Sequence, residues 1–135
     1  MLNKVKDVMN TQIKSIPADA TVFEAIEKMV EGRIRSLLVL PCKKGDYGII
    51  TVRDIIFKVM AKKLDPRKVK VYEIASTPVI TVEKETPIET VLSIMEQHNI
   101  ARVFVKEEHK IIGVVSFFDI LTTQLISLAK GSYGV

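Results

Sequence analysis

Twice in this chain a hydroxyl stands three residues ahead of an aspartate, as Thr51-Val52-Arg53-Asp54 and as Ser116-Phe117-Phe118-Asp119. The hydroxyl can donate to a phosphate oxygen, whereas an ionised aspartate only accepts and so suits paired donors such as a ribose diol. Each pair closes an apolar run, Gly48-Ile49-Ile50 or Gly113-Val114-Val115, and opens a helical pattern. Free backbone N–H groups and the positive end of a helix dipole meet at such a junction, a geometry that favours anions. An ordinary helix cap uses the same residue types, because Ser, Thr and Asp are all favoured at helix starts. Spacing and composition leave both readings open.

The elements that place these residues are themselves duplicated. Val5/Val71, Thr11/Thr77, Met29/Met95, Ile34/Ile100 and Val39/Val105 are all 66 positions apart, and after one residue is dropped near Gly45 the spacing becomes 65, from Gly48/Gly113 onward. A unit repeated at fixed period generally cannot bury its apolar face alone. In the first copy an apolar segment, Ile13 to Ile16, is closed by Pro17, and Thr21 to Glu31 then shows helical spacing with Val22, Ala25, Ile26 and Met29 as its stripe. The second copy repeats this with Val79 to Val82 and the stripe Ile88, Val91, Leu92 and Met95; Thr86-Pro87-Ile88-Glu89 reads as cap, helix-start proline and capping-box glutamate. Branched strands follow at Ser36 to Leu40 and Arg102 to Lys106, then polar turns, then strands at Tyr47 to Thr51 and Ile111 to Ser116. Closing helices begin near Asp54 and Asp119, with stripes Ile55, Val59, Met60 and Ile120, Leu121, Leu125, Leu128. Each unit thus reads β-α-β-β-α, and the expected fold is α/β (α+β), two such repeats packed sheet to sheet as an intramolecular pseudo-dimer. The expected divisions are residues 1–62 and 71–127 for the repeats, a basic connector at 63–70 broken at Asp65-Pro66, and a flexible tail at 128–135.

Composition narrows the function classes. A 135-residue chain with 47% hydrophobic and 27% charged residues matches an ordinary globular domain. Its longest apolar runs fall far short of the roughly 20 residues that span a bilayer, and its first residues lack the apolar core of a signal peptide, so a cytoplasmic location without membrane contact is expected. Cys42 is alone, which excludes an intramolecular disulfide and a cysteine-built zinc site. His98 and His109 are isolated and face Gly32 and Lys43 in the repeat, so both are read as solvated and no metal is expected. The net charge is +4, but the lysines alternate with acids except at Lys62-Lys63 and Arg67-Lys68-x-Lys70. A charge run in a connector is generally a solvated face, and without Trp the chain offers no evident base-stacking platform, so nucleic acid is not the expected partner.

The two units resemble a tandem pair of cystathionine-β-synthase (CBS) domains, a Bateman module, over residues 5 to 127. The resemblance rests on Gly48-Ile-Ile-Thr-Val-Arg-Asp-Ile55 and Gly113-Val-Val-Ser-Phe-Phe-Asp-Ile120, on the strand that precedes each, and on the opening Val5-Lys-Asp-Val-Met9. It implies adenosine-containing ligands, AMP, ADP, ATP or S-adenosylmethionine, held in clefts that draw on both repeats. The first cleft would take Ile13, Lys14, Ile34, Arg35 and Ser36 with Arg102, Val114, Ser116 and Asp119, where Asp119 holds the ribose and Ser116 and Arg102 the phosphates. The second would take Val79, Ile80, Ile100 and Ala101 with Ile49, Thr51, Arg53 and Asp54. Lys14 and Arg35 answer to Ile80 and Ala101, so the charge favours the cleft of Asp119.

The resemblance further implies a regulatory sensor, not an enzyme, with no cofactor. Nothing in the sequence supplies a nucleophile beside a base. Its expected partners are the small molecule, a second copy of the chain and a regulated protein target, with Phe117, Phe118 and Leu121 available for the homodimer. Competing readings are nucleic-acid binding through Lys62, Lys63, Arg67, Lys68 and Lys70, and a structural dimerisation module without ligand.

Overall fold

The structure, a computed structural model, describes residues 4–42 and 45–133. Lys43 and Lys44 of the first polar turn, and Gly134 and Val135 of the expected tail, lie outside the described residues. In chain order the elements are a 3-10 turn at Val5–Asp7, β1 (Ser15–Pro17), α1 (Val22–Gly32), β2 (Ser36–Leu40), β3 (Gly48–Thr51), α2 (Val52–Ile55) with a π turn at Ile56–Met60, α3 (Val71–Ile74), β4 (Thr81–Glu83), α4 (Ile88–His98), β5 (Arg102–Glu107), β6 (Lys110–Ser116) and α5 (Phe117–Tyr133). They form two three-stranded sheets, ordered β1-β2-β3 and β4-β5-β6. In each, the outer pair is parallel and the inner hairpin antiparallel, as Ile16 opposite Val39 and Leu37 opposite Ile50, or Val82 opposite Val105 and Val103 opposite Val115. A parallel pair needs a crossover, which α1 and α4 supply.

The compact units do not begin where the sequence repeats begin. One unit comprises residues 14–79, the other 1–13 with 80–135. Val71 of α3, fully buried, belongs to the cluster of Ile16, Val22, Ala25, Leu37, Val39, Ile50 and Val59. Val5, its counterpart 66 positions earlier, is equally buried among Val82, Ile88, Val91, Met95, Val103 and Val115. The opening segment of each copy is therefore built into the core of the other copy's sheet. Each also extends that sheet: Ser76 and Ile49 exchange N–H···O bonds of 2.9 Å in both directions, and Asn10 and Val114 exchange bonds of 2.8 and 3.0 Å. The β3 and β6 edges, otherwise a row of unpaired backbone groups, are closed in this way.

Several local expectations shift. Thr21 caps α1 with a complete capping box, its hydroxyl accepting from Glu24 N at 3.1 Å while its own N–H donates to Glu24 Oε2 at 3.0 Å. In the second copy Thr86 is not the cap: Pro87 is, and it makes no side-chain cap bond. Proline has no N–H to give to a capping glutamate, and its carbonyl instead accepts the first helical bonds from Thr90 and Val91. β1 and β4 each start two residues later than the apolar segments implied. Ile55, Val59 and Ile120 are buried as expected, but Met60, Leu121, Leu125 and Leu128 are exposed, as is Leu92. Helical spacing located an apolar face there without saying that the core ends one turn in. The last helix also reaches Tyr133, through residues expected as tail: Leu128, Ala129 and Lys130 are good helix formers, and the helix continues through Gly131.

Candidate functional site

The two hydroxyl and carboxylate pairs occupy matching places. Strand β3 ends at Thr51, whose extended backbone turns directly into α2 at Val52. Thr51 N–H and Thr51 Oγ1 both donate to Asp54 Oδ2, at 2.9 and 3.0 Å, while Asp54 N–H donates to Thr51 Oγ1 at 3.1 Å. At the end of β6, Ser116 N–H and Oγ donate to Asp119 Oδ2 at 2.8 and 2.9 Å, and Asp119 N–H donates to Ser116 Oγ at 3.2 Å. Thr51 and Ser116 are thus the caps, and each aspartate lies three residues into the box instead of capping the helix itself. This arrangement revises the chemistry expected of the hydroxyls. Each already donates to its aspartate and accepts from that residue's N–H, so neither offers a proton to a phosphate unless it turns away from the box.

What remains outward is the second carboxylate oxygen, and here the copies differ. Lys58 Nζ lies 3.1 Å from Asp54 Oδ1 and also donates to the Ile74 carbonyl at 2.9 Å. At Asp119 the matching position, four residues on, is Thr123, which carries no charge. Nothing about the aspartates alone distinguished them; the distinguishing residue is Lys58, which the sequence reading passed over. Its signal was the i,i+4 spacing from Asp54, a distance at which helical side chains meet.

Each box has a neighbouring strand start within its own unit. Ser36 lies opposite Thr51 in the β2–β3 register, and Val52 N–H donates to Arg35 O at 3.0 Å. Arg102 lies opposite Ser116, and Phe117 N–H donates to Ala101 O at 3.0 Å. In residues 14–79, therefore, Ile34, Arg35 and Ser36 adjoin the junction of Thr51 and Asp54. Leu38 N–H donates to Lys14 O at 3.0 Å and Val79 N–H to Tyr47 O at 3.1 Å, which ties Lys14 and Val79 to the same sheet as Ile49. In the other unit Ile100, Ala101, Arg102 and Val114 adjoin Ser116 and Asp119, Phe104 N–H donates to Ile80 O at 3.0 Å, and Ile13 belongs to the same unit. Ile34, Ile49, Val79, Ile80, Ile100 and Val114 are all half-buried, neither sealed into the core nor fully exposed. Arg53 projects from α2 with its guanidinium 4.9 Å from the Phe57 ring centre, a cation–π contact along the helix. A surface groove lined by Ile16, Pro17, Asp19, Glu24, Glu27 and Lys28, among others, touches none of these residues. No three His, Cys, Asp or Glu side chains among the described residues are placed to hold a metal ion.

The family model for the CBS domain matches residues 5–61 and again 71–125, each match ending just beyond one hydroxyl and carboxylate box. The chain belongs to the CBS domain family. It carries two CBS repeats, and the mixed α/β fold with two three-stranded sheets agrees with that assignment. Among curated proteins this CBS pair is 30% identical over 119 residues to Hypoxic response protein 1 of Mycobacterium tuberculosis, covering 88% of this chain and 83% of that one. It is 26% identical over 132 residues to a CBS domain-containing protein of Bacillus subtilis, covering 97% and 92%. Among solved structures, the hexameric CBS-CP12 protein of bloom-forming cyanobacteria matches with a TM-score of 0.79 at 34% identity over 90% of this chain and 67% of that one. The structure of Hypoxic Response Protein I with two coordinated zinc ions matches at 0.77 and 29% identity, covering 89% and 98%. No helix among the described residues is long and apolar enough to cross a membrane.

Proposed function

We propose that this CBS pair is a regulatory binding module for adenosine-containing ligands, with the ribose of the first-bound molecule on Asp119. The observation that carries this reading is the half-used carboxylate. Asp119 Oδ2 is fixed by Ser116, and none of the bonds of the box falls on Oδ1. A fixed acceptor suits a vicinal diol, whose two hydroxyls donate, and Arg102 opposite Ser116 brings a fork-shaped cation to the same strand ends for a phosphate. Half-buried Ile100 and Val114 offer apolar area to a purine. Ser116 joins the phosphate only by rotating out of its box. Copies of the module pair through the exposed apolar face of α5, and the ligand acts by favouring one arrangement of the assembly, which requires different affinity for the two states. No catalytic step is assigned.

A thermal-shift panel of AMP, ADP, ATP and S-adenosylmethionine tests the reading. A ligand at about 100 times its dissociation constant stabilises the fold by about 2.7 kcal/mol. The expected result is a rise in melting temperature with at least one nucleotide, reduced in Asp119→Ala. No rise with any of the four compounds refutes it.

A further inference from the structure

Two carboxylates in duplicated boxes ought to be equivalent acceptors, and the geometry around them shows that they are not. Asp54 accepts two bonds on Oδ2 from Thr51 and has Lys58 at 3.1 Å on Oδ1. The ammonium is itself held in place by the Ile74 carbonyl at 2.9 Å, the last residue of α3. Asp54 is only 14% exposed, and Lys58 is the cation placed on its Oδ1. The residue four positions after Asp119 is Thr123, which carries no charge. The backbone differs as well. Lys58 sits in the π turn Ile56–Met60, closed by Ala61 N–H to Ile56 O at 2.8 Å, whereas α5 is α-helical from Phe117 onward. Such single π turns recur where a helix has been adapted for a function.

We propose that Lys58 is an internal competitor for the Asp54 carboxylate, which ranks the two repeats so that ligand hydroxyls bind at Asp119 first and at Asp54 only on displacing the ammonium. The inference rests on the proposed adenosine-binding role and adds to it a specificity-determining residue and an order of occupancy. Lys58 is 47% exposed, so its hold on the carboxylate is moderate and solvent-screened. The expected penalty at Asp54 is about fivefold in affinity, or about 1 kcal/mol at 1.4 kcal/mol per tenfold. A ranking of this size lets a chain report two ranges of ligand concentration.

Adenosine is the probe of choice, because without phosphates it does not reward Lys58 for its charge. Calorimetric titrations are made on the wild type, on Asp119→Asn, which isolates the Asp54 site, and on Asp119→Asn combined with Lys58→Met or Lys58→Gln. Gln retains a donor for Ile74 O without the charge and provides a second folded variant. The expected result is tight binding in the wild type, weak binding in Asp119→Asn, and recovery of about fivefold on adding either Lys58 substitution. Unchanged or weaker adenosine binding in both Lys58 variants, while the wild type still binds, overturns the proposal and leaves the adenosine reading standing. Absence of adenosine binding in the wild type and every variant overturns both.

Discussion

A Cβ added to Gly48 would stand 2.6 Å from Thr77 Cγ2, inside any permissible contact. The same carbon would lie 2.9 Å from the Ser76 carbonyl oxygen, which cannot move without breaking its bond to Ile49 N–H. The glycine that opens the apolar run before Thr51 is therefore required by close approach of another strand, and its own φ needs no glycine. Gly48→Ala is expected to destabilise the fold by about 1–3 kcal/mol, the usual cost of overpacking. At Gly113 the added carbon overlaps Met9 Sδ and Cγ, which can turn aside, and presses on Met9 Cβ at 3.1 Å without meeting backbone, so Gly113→Ala is expected to cost less, about 1 kcal/mol. Urea unfolding of the two variants checks the order; equal losses would contradict it.

A second expectation concerns acid. Glu85 accepts from Lys6 at 2.6 Å and Lys4 at 2.9 Å, and these bonds hold its carboxyl well below the ordinary value, at about 2. With the folded value below the unfolded one, the pair adds stability above about pH 4.5 and that share is lost as pH falls toward 2. Lys4, raised by the Glu85 hydrogen bond, keeps its half of the pair until pH rises through and beyond the usual lysine range. All three side chains are about half exposed, so salt screens the effect. Thermal unfolding from pH 6 to 2 is expected to show a melting-temperature advantage of wild type over Glu85→Gln that shrinks through this window and is smaller in high salt. A constant difference across the range would remove the linkage.

How much of this was legible in the sequence depends on whether a feature is local. The strands Ser36 to Leu40 and Arg102 onward, and both hydroxyl and carboxylate boxes, were readable because branched residues and cap residues act over a few positions. The exchange of Val5 and Val71 was not. Two valines with the same neighbours suit either core equally, and chain topology, which periodicity does not record, decides between them. Likewise the sequence offered Thr86 as the cap of a box with Glu89, yet Pro87 takes the cap position. At the site, the residue types were in plain view, whereas the engagement of both hydroxyls and the bond from Lys58 to Asp54 depend on rotamers and on the position of Ile74 O.

The last expectation follows from the face that helical spacing assigned to the core and the structure leaves uncovered. Phe118 is 76% exposed, Leu121 65% and Leu125 68%, and they lie at i, i+3 and i+7 on α5, one continuous stripe. Single exposed apolar residues are common, but a contiguous stripe is a characteristic of an interaction surface. If copies of the chain pair there, a carboxylate placed in the stripe must be buried without a partner in the assembly yet stay solvated in the monomer. Phe118→Glu is accordingly expected to shift the protein to monomer in light scattering while leaving its circular dichroism intact. Lys63→Glu on the exposed connector is expected to leave the assembly unchanged, so an equal response to both substitutions would place the interface elsewhere.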